Sequence, residues 1–144
     1  MAHPGHHALA RPHDVALVIS PSGQTVTWAE LRRRIVQAAN ALHDLGVRPG
    51  DGVAFCVENR VGFAVLVWAC LDAGLRYTPI STRLTADEVA YIVGDSGAAV
   101  FLHTSKTAAS AGAVDGVRVI DLDAADPLGS SLDEPPRYER VEGV

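Results

Sequence analysis

Between positions 27 and 122 the chain switches repeatedly between two hydrophobic rhythms. Leu31, Ile35, Ala38, Leu42 and Leu45 recur at spacings of four and three, which predicts a helix over 27–45 with one buried stripe. Thr27 and Glu30 stand at capping-box spacing at its start. The Thr27 hydroxyl can accept from a free backbone N–H, and Glu30 can reach back to the N–H of Thr27. Arg32, Arg33, Gln37, Asn40 and Asp44 fall mostly off the stripe, and Gly46 supplies a left-handed stop. Residues 53–57 are apolar without a break, the pattern of a parallel strand covered on both faces. Asn59 is placed to cap a second helix running to about position 73, with Gly74 as its stop and a strand at 76–80 after it. Thr85 and Glu88 form a second capping box, opening a helix that turns Val89, Ile92 and Val93 inward. A turn at 94–97, a strand at 98–102, a weak Ala/Ser-rich helix at 104–111 and a last strand at 117–122 follow. Ahead of the first helix, the apolar runs 15–19 and 24–26 flank Pro21, Ser22 and Gly23 and predict a small hairpin.

Strand and helix thus alternate three times between 53 and 122. Such alternation implies right-handed crossovers and an α/β fold: a mostly parallel sheet with helices on both faces. Residues 1–13, with His3, His6, His7 and His13 among Pro, Gly and Ala, read as a disordered leader. Residues 14–122 form the α/β body. Residues 123–144, dominated by Pro, Asp, Glu, Gly and Ser, read as a connecting loop.

The helix at 60–73 carries the strongest physical constraint. Positions 63–71 offer no polar face, and an all-apolar helix must be covered all round. The sheet covers one side. The other side is expected to meet a second layer, an oligomeric partner or further sequence, and self-association through this helix follows from that expectation. Phe63, Val67 and Trp68 on it read as core packing.

Composition narrows the function classes. The net charge of −5 argues against nucleic acid, whose binders need a Lys/Arg surface. Cys56 and Cys70 each lie inside an apolar run, without CxxC spacing, and read as buried free thiols. No signal peptide is visible and no apolar run reaches the roughly 20 residues that span a bilayer, so a cytoplasmic location is expected.

Open parallel sheets bind ligands beyond the carboxyl ends of their strands. Here those ends are Glu58-Asn59, Ser81-Thr82-Arg83 and His103-Thr104-Ser105-Lys106. Asn59, Thr82 and Arg83 are the polar candidates, Arg83 either as an anion contact or as a partner for Asp87 or Glu88. His103 and Lys106 beside Ser105 could be an acid/base pair or ordinary loop polars; nothing in the spacing orients them as a triad requires. The first βα turn, Val57 to Arg60, lacks the glycines that let a backbone approach a pyrophosphate, and no GxxxxGK[ST] loop exists. A nicotinamide or flavin enzyme is therefore disfavoured. No metal ligand set is apparent.

The ordered segments resemble the start of acyl-CoA synthetases of the adenylate-forming family. The residues that carry the resemblance are Thr27 to Leu31, the turn Gly46-Val47-Arg48-Pro49-Gly50-Asp51, Val53 to Asn59, Ala73-Gly74, Pro79-Ile80-Ser81-Thr82-Arg83-Leu84, Glu88, Tyr91-Ile92 and Asp95-Ser96. Ser81 departs from the Asn that such enzymes often carry. The resemblance implies part of the large N-terminal domain of an enzyme that activates a carboxylic acid with Mg-ATP and passes the acyl group to CoA. It places Phe63, Val67 and Trp68 near an acyl-pocket wall. It also implies that the phosphate loop, the adenylate motifs and the catalytic Lys lie beyond Val144, the run Val141-Glu142-Gly143-Val144 resembling the approach to that loop. The chain alone is then expected to hold no cofactor and to be inactive, with the remainder of the parent enzyme as its partner. A stand-alone α/β interaction module and a small flavodoxin-like ligand-binding domain are the rival readings.

Overall fold

The computed structural model describes residues 3–124 and 135–141. Strand β1 (Val15–Ile19) pairs antiparallel with β2 (Gln24–Thr27) in the expected hairpin. Helix α2 (Trp28–Asp44) follows at once; an earlier helix, α1 (Pro4–Ala10), precedes the hairpin. Then come β3 (Gly52–Cys56), α3 (Val61–Asp72), β4 (Arg76–Pro79), α4 (Ala86–Ser96), β5 (Ala98–His103), a single 3₁₀ turn with the short α5 (Ala108–Ala111), and β6 (Arg118–Asp121). The last four strands form one parallel sheet in the order β4-β3-β5-β6.

Two cores lie on opposite faces of that sheet. Val53, Phe55, Val100 and Leu102 pack with α2 and α3, whereas Ala54, Cys56 and Phe101 pack with Val89 and Val93 of α4 and with Val114. The alternation along β3 and β5 is why both strands are apolar throughout. The expected α/β fold with helices on both faces is observed. At the β4 edge, Arg76 N and Ile80 N donate inward to Asp51 O and Phe55 O at 2.9 and 2.8 Å. The outward positions are then Tyr77 and Pro79, and Pro79 has no N–H, so the edge offers little to a pairing strand.

The caps behave largely as the sequence predicts. Thr27 accepts from Glu30 N and Thr85 from Glu88 N, each at 3.3 Å. The Glu30 carboxylate does not close its box; it takes Arg34 instead, Nη2 to Oε1 at 2.6 Å. Gly46 and Gly74, with φ of 90° and 70°, provide the left-handed stops. Asn59 does not cap α3. The N-cap is Arg60, and Asn59 Nδ2 donates to Ser20 O of the hairpin at 3.4 Å.

Two expectations are corrected. The leader is a helix: His3 Nδ1 accepts from Gly5 N at 3.0 Å, and Pro4 sits in the first turn, where its fixed φ suits a helix. Seven residues cannot hold a helix alone, so tertiary contacts do so. His3 meets Trp68 edge-on, with ring centroids 5.3 Å apart, and His7 lies over Trp28 at 4.5 Å. Helix α3 likewise finds its cover within the chain. Val61, Val65, Leu66, Ala69 and Cys70 are buried in the core that α2 shares, and Phe63 is its only exposed position, at 36%. The second layer is α2, whose buried Ala38, Ala39 and Ala41 allow close approach. Most of the loop expected at 123–144, including the run 142–144, lies outside the described residues. The described part, 135–141, has no regular structure but is pinned to α2 and α3.

Candidate functional site

Cys56 pairs across the sheet with His103, and His103 with Asp121, so the chain segments leaving β3, β5 and β6 emerge side by side. Their side chains meet. Thr104 Oγ1 donates to Glu58 Oε2 at 2.5 Å. Thr107 Oγ1 donates to Cys56 O at 2.8 Å and accepts from Thr104 N at 2.9 Å. Arg60 spans two carboxylates, reaching Glu58 Oε1 at 3.1 Å and Asp123 Oδ1 at 2.8 Å. Asp123 Oδ2 accepts from both Ser105 N and Ser105 Oγ at 2.8 Å. This network ties the carboxyl ends of three strands together.

Its electrostatics are those of a closed cluster. The hydrogen bond from Arg60, then those from Ser105, hold the Asp123 carboxyl well below the usual range. Burial pushes Glu58 up, but the bonds from Thr104, its own backbone and Arg60 outweigh it, leaving Glu58 below its ordinary value. Arg60 is raised, first by Asp123. The donors and acceptors at these strand ends are thus engaged with one another.

For the acid/base reading, the structure turns His103 and Ser105 to other partners and leaves Lys106 exposed. His103 is buried, stacked on Phe101 at 6.3 Å, with Nδ1 3.0 Å from Thr104 O. The Ser105 hydroxyl points at Asp123. Thr82 and Arg83 are exposed beyond β4; Arg83 N donates to Ser81 Oγ at 3.2 Å, and among the described residues its guanidinium forms no pair with Asp87 or Glu88. Asn59 is turned to the hairpin. The structure does not gather Asn59, Thr82 and Arg83 into one hydrogen-bonded group. Phe63 packs edge-on against Phe55 at 5.5 Å, Val67 is half-buried against the α2 side of the core, and Trp68 is half-buried under His3.

A second charged cluster, built around a wholly buried carboxylate, lies at the end of α3. Asp72 is wholly buried. Its Oδ2 accepts from Arg32 Nη1 at 2.9 Å and from the Tyr138 hydroxyl; its Oδ1 accepts from Arg140 Nε at 3.0 Å. His3 Nε2 lies 3.2 Å from Oδ1 but too obliquely for a hydrogen bond. The backbone joins in, Val141 N donating to Asp72 O at 2.9 Å. Burial raises Asp72, while Tyr138, Arg32 and Arg140 more than offset it, so the carboxylate stays ionised below its ordinary range. Burial and Asp72 push the Tyr138 phenol up. Nearby, Asn40 Nδ2 donates to Pro135 O at 3.0 Å and its Oδ1 accepts from Arg137 N at 2.7 Å. Arg137 also pairs with Asp44 at 2.5 Å. Two helices and the segment 135–141 are thereby fastened at a point the apolar rhythm did not mark. One signal was available: an acid that closes a nine-residue apolar run has to be paired.

Neither cluster holds an activated nucleophile. Burial pushes the Cys70 thiol up to about 12 and raises Cys56 as well. Among the described residues no group of His, Cys, Asp and Glu could hold a metal ion.

Against known proteins, residues 5–142 match the family model described as AMP-binding enzyme. A feruloyl-CoA synthase from Amycolatopsis sp is 37% identical over 133 residues, which cover 92% of this chain and 26% of that protein. The solved Mycobacterium tuberculosis fatty acyl CoA synthetase superposes with a TM-score of 0.81 at 28% identity, over 94% of this chain and 29% of its own. O-succinylbenzoate coenzyme A synthetase from Bacillus subtilis, solved with ATP and magnesium ion, gives a TM-score of 0.78 at 28% identity, over 96% and 35%. The chain therefore spans about a quarter of the length of the curated relative it matches.

Proposed function

The chain belongs to the AMP-binding enzyme family, and on that premise we propose that it is the opening part of the large domain of a carboxylate-activating ligase, contributing fold rather than chemistry. The parent reaction is the joining of a carboxylic acid to ATP, giving an acyl adenylate and pyrophosphate, followed by transfer to CoA. The remainder of that enzyme is the partner. The observation that carries the reading is the closed network Glu58–Arg60–Asp123–Ser105. It occupies the place where an open parallel sheet binds ligands, and it spends its donors on the protein's own carboxylates. Stabilising a phosphoryl group needs donors aimed at the developing charge. These residues do not fit ATP or magnesium, and no step through either, or through CoA, is assigned to them.

Aromatic acids such as ferulate and aliphatic fatty acids are both compatible with a wall formed in part by Phe63, Val67 and Trp68. A cytoplasmic location, where ATP and CoA are at hand, belongs to the same proposal; no helix among the described residues is long and apolar enough to cross a membrane. The test is ATP–pyrophosphate exchange with Mg-ATP and ferulate, a fatty acid or o-succinylbenzoate. The 144-residue chain should give background exchange with every acid. Acid-dependent exchange by this chain alone would overturn the proposal.

A further inference from the structure

Helix α1 is held by an imidazole in one protonation state. His3 Nδ1 accepts the Gly5 N–H at 3.0 Å and so caps the helix. An accepting Nδ1 fixes the neutral tautomer with the proton on Nε2, which lies 3.2 Å from Asp72 Oδ1 without a hydrogen bond to it. An imidazolium carries N–H on both nitrogens, so the added proton would turn the cap acceptor into a donor facing the Gly5 N–H.

The surroundings give that proton little in return. The groups facing His3 are Asp72 from α3, Arg32 from α2, and Tyr138 and Arg140 from the segment 135–141. Asp72 carries one negative charge, already shared by two guanidiniums and a phenol. The His3 side chain is only 7% exposed, so water cannot solvate an added charge. Burial, the largest influence, sets His3 below its ordinary value; Asp72 pulls it up, and Arg32 and Arg140 press it down.

We propose that α1 is a proton-released latch: protonation of His3 removes the helix cap and expels the imidazole from the Asp72 cluster, so that residues 4–10 leave α2 and α3. Release uncovers the indole of Trp68 beneath His3, the indole of Trp28 beneath His7, and the guanidinium of Arg32. The rest of the fold stays closed, because the two sheet-face cores and the Glu58–Arg60–Asp123 network do not involve α1.

Amide hydrogen exchange of residues 5–10, corrected for intrinsic rates, tests the latch between pH 7.5 and pH 5. With an undocked imidazole at its ordinary 6.5 and a docked one that refuses the proton, the opening constant at pH 5 should rise by as much as about thirtyfold. The amides of β3 and β5 should not change. In His3→Asn the side-chain oxygen can cap but cannot titrate, and α1 should keep its protection at pH 5. His7→Gln should release like the wild type. Protection of α1 in the wild type that is the same at both pH values would overturn the proposal. So would acid release that persists in His3→Asn or disappears in His7→Gln. Should Asn fail to dock α1 at pH 7.5, His3→Ser is the second non-titrating cap, and the wild-type series still decides whether acid releases the helix.

Discussion

Arg32 Nη1 donates to Asp72 Oδ2 at 2.9 Å, joining the first turns of α2 to the last residue of α3 across 40 residues of sequence. A carboxylate buried this deeply holds its place only while its guanidinium and phenol partners remain. Asp72→Asn keeps the shape but leaves Arg32 and Arg140 facing a neutral amide. The expected loss is about 3 kcal/mol, the scale for removing one partner of a buried ion pair. Urea denaturation checks it, and Glu139→Gln on the exposed side of the same segment should leave the midpoint in place.

Asn40→Ala should loosen one segment more than the whole. Its amide supplies two bonds to the backbone of 135–137, each worth about 1 kcal/mol when buried. Residues 135–141 should then open more often, and trypsin should cut after Arg137 and Arg140 sooner than in the wild type, while far-UV circular dichroism stays unchanged. An unaltered digestion rate would count against the clamp.

The acid limb of stability follows from carboxylates held below their ordinary values. Asp72 and Glu58 bind protons more readily when unfolded than when folded. Their contribution is present above the unfolded values of 3.8 and 4.5 and is lost as pH falls through the folded ones. The urea midpoint should therefore drop below about pH 4.5, and Glu58→Gln should flatten the upper part of that drop.

Cys56 and Cys70 should resist alkylation. Both are buried, and the Cys70 thiol, at about 12, offers almost no thiolate at pH 8. Iodoacetamide should modify them only in denaturant. Labelling of the native chain at the rate of a free thiol would show that the α3 layer opens.

The sheet was legible because its evidence is local. The apolar runs of β3 and β5, two Thr caps and the glycine stops each speak for themselves, and the strands fall within a residue or two of where the rhythm put them. Arg60, Asp123 and Ser105 were not legible as a group, since only the parallel pairing of β3, β5 and β6 brings positions 63 residues apart into contact. That Asp72 needs a partner was legible from the apolar run it closes, but not that Tyr138, 66 residues further on, supplies one. The cover of α3 was misjudged on different grounds. A single stripe was read on α2, but Val36, Ala39, Asn40 and Ala41 are buried beside it, so α2 presents a broad face of small residues that lies flat on α3. The leader was misread because a histidine cap has no place among the usual Ser, Thr, Asp and Asn. Self-association through α3, argued from its composition, would have to use Phe63 and the half-buried positions beside it, and sedimentation of the chain tests it.

Calorimetric titration of the 144-residue chain with Mg-ATP probes the central claim ahead of any turnover. If the groups beyond β3, β5 and β6 are committed to one another, no saturable heat appears at millimolar nucleotide. A saturable isotherm that Arg60→Gln or Ser105→Ala abolishes would mean that those same groups form a nucleotide site, and the account would be wrong.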